Sequence, residues 1–88
     1  MRYTVVLLKE PDGRYSVSVP ALKGCHTWGD TLPEALAHVQ SAVRLFVESL
    51  RARSLPVPDD NPEVQVNMRE TAEAFVYVVD IEETVPVA

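Results

Sequence analysis

Eighty-eight residues, 47% hydrophobic and 24% charged, describe one small globular domain, too short for two cores and too apolar for a disordered chain. The net charge of −5 argues against a nucleic-acid footprint, which needs clustered Lys and Arg, and suits a basic protein partner. One cysteine cannot make an internal disulfide, and no stretch has the form of a signal peptide or the roughly 20 apolar residues of a membrane span. A cytoplasmic location and no membrane contact are expected.

Residues 3–9, YTVVLLK, are β-branched and aromatic and run into EPDG, which predicts a strand and a turn. Asp12-Gly13 marks that turn, because glycine accepts the positive φ of a tight hairpin. In RYSVSVP, Tyr15, Val17 and Val19 alternate with Arg14, Ser16 and Ser18, so the second strand has one buried and one wet face. Pro20 closes it. ALKG makes another turn, and CHTWG is a short third strand.

From Leu32 the apolar residues recur at Ala35, Leu36, Val39, Ala42, Val43, Phe46, Val47 and Leu50, a single stripe along a long amphipathic helix. Thr31-Leu-Pro-Glu34 has the form of a capping box, with Pro33 in the first turn, where a missing N–H costs nothing. Arg44, Arg51 and Arg53 cluster toward the far end, where cations suit the helix dipole. Pro56 and Pro58 end the element and open a polar loop that reaches Pro62. Val64, Val66 and Met68 alternate with polar residues, which predicts a short extra edge strand over 64–69. FVYVVDIE is apolar on both faces, as expected of a strand inside the sheet or covered by a partner. The domain is expected to span 1–82, with a loose tail over 83–88.

The fold class is therefore α+β: a three-stranded antiparallel meander, one helix packed on one face, then a final strand. A right-handed crossover through the helix lays that strand parallel to the first. The wet second face of the sheet invites self-association, and a homo-oligomer (dimer or tetramer) is expected.

The E-P-D-G turn, the Y-S-V-S-V-P strand and L-K-G-C-H-T-W-G-D-T followed by E-A-L closely resemble the N-terminal domain of HicB-like antitoxins. The likeness covers about residues 3–58 by motif and the final strand by position. It implies a truncated ribonuclease H-like β-β-β-α-β fold and a role in type II toxin–antitoxin systems, where the antitoxin binds HicA, a small basic mRNA-cleaving ribonuclease, and blocks its active site. Full-length members usually add a C-terminal DNA-binding domain. Here only residues 83–88 follow the last strand, so this chain alone is not expected to bind operator DNA. The competing reading is an orphan structural or regulatory domain that self-associates and has no toxin.

The chemistry-bearing residues are weighed against that background. One cysteine and two histidines fall short of a zinc ligand set, so no metal and no cofactor are expected. Cys25 and His26 are sequence neighbours in a strand and point to opposite faces, which denies the thiol its base. Strand one carries no central acid, and Glu34 with Asp80 does not make a two-metal ribonuclease site, so no catalytic residue is assigned. Asp12 and Gly13 build the hairpin, while Asp30, Thr31 and Glu34 open the helix. Asp59-Asp60, with Glu63, is read as a solvated loop, with weak, salt-dependent steering of a basic partner as the alternative. His26 and Trp28, with Tyr15, are the candidate contact residues, and an aromatic on a half-exposed face serves a toxin or a dimer equally well.

Overall fold

The computed structural model describes residues 1–61 and 73–81. Its elements are β1 (Arg2–Lys9), β2 (Tyr15–Ser18), β3 (His26–Gly29), α1 (Leu32–Ala52) and β4 (Glu73–Asp80). The four strands form one sheet in the order β3-β2-β1-β4, with every neighbouring pair antiparallel. The expected edge strand at 64–69 and the tail at 83–88 lie outside the described residues.

The α+β meander and helix agree with the sequence pattern, but the last strand runs the other way. β4 lies antiparallel to β1, with Glu73 opposite Lys9 and Asp80 opposite Arg2. The right-handed crossover rule governs a helix that feeds directly into the next strand. Here α1 and its loop return the chain to Thr4, near the start of β1, where Asp60 is anchored. β4 begins at the opposite end of β1, so residues 62–72 separate the two elements and the rule does not apply. Among the described residues β4 stands at the edge of the sheet.

The alternation read from the sequence sorts the side chains. Val17, Leu7, Val5 and Tyr3 turn toward α1 and are buried, together with Ala35, Val39, Val43 and Val47 of the helix. Burying each valine contributes about 1.5–3 kcal/mol. Cys25 joins this core, and burial pushes its thiol pKa up, which leaves it a small apolar side chain with little thiolate.

Both ends of α1 follow from local chemistry. Glu34 N–H donates to Thr31 Oγ1 at 3.2 Å, which satisfies one orphan amide of the first turn. At the far end Ser54 adopts φ 56°. Its N–H donates to the Arg51 carbonyl at 3.0 Å and Leu55 N–H donates to the Leu50 carbonyl at 2.8 Å, a Schellman closure. Glycine usually fills this left-handed position, because a Cβ there is strained. Ser54→Gly should therefore raise stability by about 0.5–1 kcal/mol, read as a shift of the urea midpoint at constant slope.

β2 pairs with β1 only from Val6 to Lys9, so the first half of β1 lacks a strand on that side. The loop after α1 takes its place. Thr4 N–H donates to Asp60 Oδ1 at 2.7 Å, Thr4 Oγ1 donates to Asp60 Oδ2 at 2.8 Å, and Tyr3 Oη donates to the Pro58 carbonyl at 2.6 Å. Asp60 is thus a structural clamp rather than a solvated acid, while Asp59 stays exposed.

Candidate functional site

The face of the sheet away from α1 carries His26 and Trp28. Cross-strand pairing lines up Trp28, Ser16, Leu8 and Ala74 in one row and His26, Ser18, Val6 and Val76 in the next. A shallow depression of about 360 Å³ opens among Val6, Leu8, Ser16, Ser18 and His26. His26 is exposed, and Trp28 is 50% exposed at the corner of the face. Cys25 is buried on the other side, so strand alternation separates the Cys-His pair as anticipated.

Trp28 is held rather than loose. The Arg14 guanidinium carbon lies 4.9 Å from its ring centroid, a cation–π contact that masks one side of the indole. Arg14 is in turn flanked by Asp30 at 3.6 Å and Asp12 at 4.0 Å. Asp12 also accepts the Arg14 N–H at 3.0 Å and so shapes the hairpin, in which Gly13 takes φ 91°. Asp30 faces Arg14, and Thr31 is the helix cap. Glu10 Oε1 accepts from Ser16 Oγ at 2.8 Å, adding a third carboxylate to this rim. The side chain of Glu34 lies beside His38, 3.9 Å from Nε2, and His38 Nδ1–H donates to the Trp28 carbonyl at 2.7 Å.

Tyr15 does not join His26 and Trp28. It sits opposite Gly29 and Lys9 on the helix side of the sheet, packed against the core and 6.2 Å from the Phe75 ring. Tyr15 therefore packs with the core rather than beside His26 and Trp28. Arg14 and Glu10 were not among the candidates, although Arg14 shares the wet alternation of Ser16 and Ser18, and a tight hairpin brings that row beside β3.

Among the described residues, no three or more His, Cys, Asp or Glu side chains are gathered to hold a metal ion. Glu34 lies where β3 ends and Asp80 where β1 begins, so opposite ends of the sheet separate them. No helix among the described residues is long and apolar enough to cross a membrane.

The model of a family described as "HicB_like antitoxin of bacterial toxin-antitoxin system" matches residues 3–86. The chain belongs to the HicB-like antitoxin family. This HicB-like chain is 48% identical over 63 residues to a UPF0150 protein of Thermoplasma acidophilum, covering 72% of this chain and 91% of that protein. It is 49% identical over 59 residues to a UPF0150 protein of Synechocystis, covering 67% and 75%. An uncharacterized 14.9 kDa protein of Haemophilus phage HP1 is 36% identical over 85 residues, spanning 96% of this chain and 63% of the phage protein.

Solved structures carry the same fold. The N-terminal domain of the Burkholderia pseudomallei antitoxin HicB aligns with a TM-score of 0.67 at 24% identity, over 94% of this chain and all of that one. A chain of the HicA3 and HicB3 toxin–antitoxin complex aligns with a TM-score of 0.66 at 19% identity, over 94% and 100%. At these identities the likeness speaks for the HicB-type fold alone.

Proposed function

We propose that this HicB-like chain is a non-enzymatic cytoplasmic antitoxin that binds a small basic HicA-type ribonuclease and covers its catalytic groove. The observation that carries the reading is the corner around Trp28. A half-exposed indole, pinned by Arg14, stands beside a shallow polar and apolar depression and is rimmed by Glu10, Asp12 and Asp30. Pinning lowers the entropy lost on binding, and the carboxylates steer a basic partner into place. Inhibition then needs only occlusion, with no chemistry on this chain.

Co-expression with a HicA-type toxin from the neighbouring reading frame should relieve growth arrest and yield a complex. Trp28→Ala should weaken that complex by about 1–2 kcal/mol, roughly tenfold in Kd, measured by calorimetry. The association rate should fall with added salt, as for any steered pair. Absence of both rescue and complex would remove the antitoxin reading and leave a self-associating domain without a toxin. Ribonuclease activity in the purified chain that Asp80→Asn abolished would overturn the non-enzymatic assignment.

A further inference from the structure

The corner around Trp28 already holds a cation, and that cation is its own. Asp12 and Arg14 come from the hairpin between β1 and β2, Trp28 from β3 and Asp30 from the turn into α1, so three separate segments meet at one guanidinium. An aromatic face flanked by carboxylates is the chemistry by which proteins take up an arginine side chain. The planar guanidinium stacks on the ring while its N–H groups face the acids. Arg14 therefore shows both the kind of group this corner accepts and the place where it sits.

Arg14 is held firmly by its backbone and lightly by its side chain. Its carbonyl accepts the Glu10 N–H at 2.7 Å, and its own N–H donates to Asp12 Oδ1 at 3.0 Å. Its Nε, by contrast, lies 3.6 Å from Asp30 Oδ1 and 4.0 Å from Asp12 Oδ2, both beyond hydrogen-bond length. The side chains of Arg14, Asp12 and Asp30 are 58%, 64% and 63% exposed, so water screens each attraction. The guanidinium can leave by a change of rotamer, without disturbing the hairpin. Among the described residues the corner gathers three carboxylates, Glu10, Asp12 and Asp30, around this one guanidinium. Neither Arg14 contact has the forked, two-bond geometry of a strong arginine–carboxylate pair, so the acids have more to offer than their resident uses.

We propose that Arg14 is a tethered stand-in, and that the corner takes an arginine side chain from a basic partner in its place. The inference rests on the antitoxin reading for the partner's basic surface, and it names the side chain which that surface must offer. The incoming guanidinium stacks on Trp28 and forks onto Asp30, while Arg14 swings into solvent. A lysine is the poorer ligand, because its ammonium is a point charge that cannot fork onto a carboxylate or lie flat on the ring. As long as Arg14 occupies the ring it competes, and the apparent affinity falls by the fraction of molecules in which the ring is free. A partner without a well-placed arginine finds the ring taken, so the resident also sets selectivity.

The probe is acetyl-Gly-Arg-Gly amide, titrated into the full chain at low salt, with lysine or neutral citrulline in place of the arginine as controls. Trp28 is the only tryptophan, so its emission reports this corner alone. Emission should change saturably with the arginine peptide, at several-fold higher concentration with lysine, and not with citrulline. In NMR spectra the Arg14 Nε–H, shifted by the indole ring current, should return to the position of a free arginine as the peptide binds. Arg14→Ala should bind the peptide about three- to sixfold more tightly, the gain expected when an exposed resident contact of this kind is removed. Asp30→Asn should lose most of the binding. Weaker binding by Arg14→Ala would make Arg14 a brace for the ring and overturn the exchange, as would an Arg14 signal that stays shifted at saturation. Equal responses to the arginine and lysine peptides, unaffected by Asp30→Asn, would reduce the corner to a general attraction for cations and overturn the arginine site. No toxin enters these measurements. A chain that binds the peptide but neither rescues growth nor forms the complex would lose the antitoxin reading and keep this site.

Discussion

Gly29→Ala should cost about 3 kcal/mol, at the upper end of what overpacking a core produces. β3 ends where α1 begins, and a Cβ on Gly29 would lie 2.5 Å from the Ala35 nitrogen, 2.7 Å from its Cα and 3.0 Å from its Cβ. The obstacle is helix backbone, so no rotamer change relieves it. Either β3 slides or the first turn of α1 lifts, and the Thr31 cap and the His38 bond to the Trp28 carbonyl go with it. Because the same turn supports Trp28, the variant should also lose affinity for the proposed toxin. Gly13→Ala is the control. It has nothing within 4 Å, and its cost of about 1–2 kcal/mol comes from φ 91° alone. Urea unfolding of both variants should rank them in that order, with toxin binding impaired only at Gly29.

Asp60→Ala should destabilise the fold by about 2–3 kcal/mol, since it removes two charge-assisted hydrogen bonds and leaves the amide of buried Thr4 without an acceptor. Asp60→Asn keeps an acceptor for the amide and should lose less. Asp59→Ala, one residue earlier and exposed, should stay within about 0.5 kcal/mol of the parent. Hydrogen exchange at Thr4 is the direct readout, and its amide should lose protection in Asp60→Ala before any change appears at the paired end of β1. Equal behaviour of the two aspartates would restore the picture of a solvated acidic loop.

The periodic parts of this fold could be read from residue order alone. The alternation of Tyr15, Val17 and Val19 assigned the faces of β2, the three-and-four spacing from Leu32 to Leu50 drew the helix, and Thr31 marked its start. Opposite orientations for Cys25 and His26 followed from strand geometry. What escaped were features that join distant segments. The direction of β4 depends on where residues 62–72 deliver the chain, and no periodicity encodes that. Asp60 looks like any loop acid until β2 proves too short to cover Thr4. Arg14 meets Trp28 only through the β2–β3 register, and Tyr15 falls on the helix side once that register is counted. The apolar run of β4 calls for cover, but residue order leaves open whether neighbouring strands or a partner supply it.

The two borders of the sheet are not alike, and that difference bears on how far assembly can go. On β3 the outward carbonyl of Trp28 already accepts the His38 side chain from the helix, so this border is partly closed to another strand. Among the described residues β4 carries no such bond. A protein with two open borders would offer a fresh one each time a copy was added, and growth would run on into filaments. Where only one border is open, symmetric pairing consumes it in both partners and growth ends at two. Removing the imidazole, as in His38→Ala, would therefore weaken a stop signal as well as a hydrogen bond.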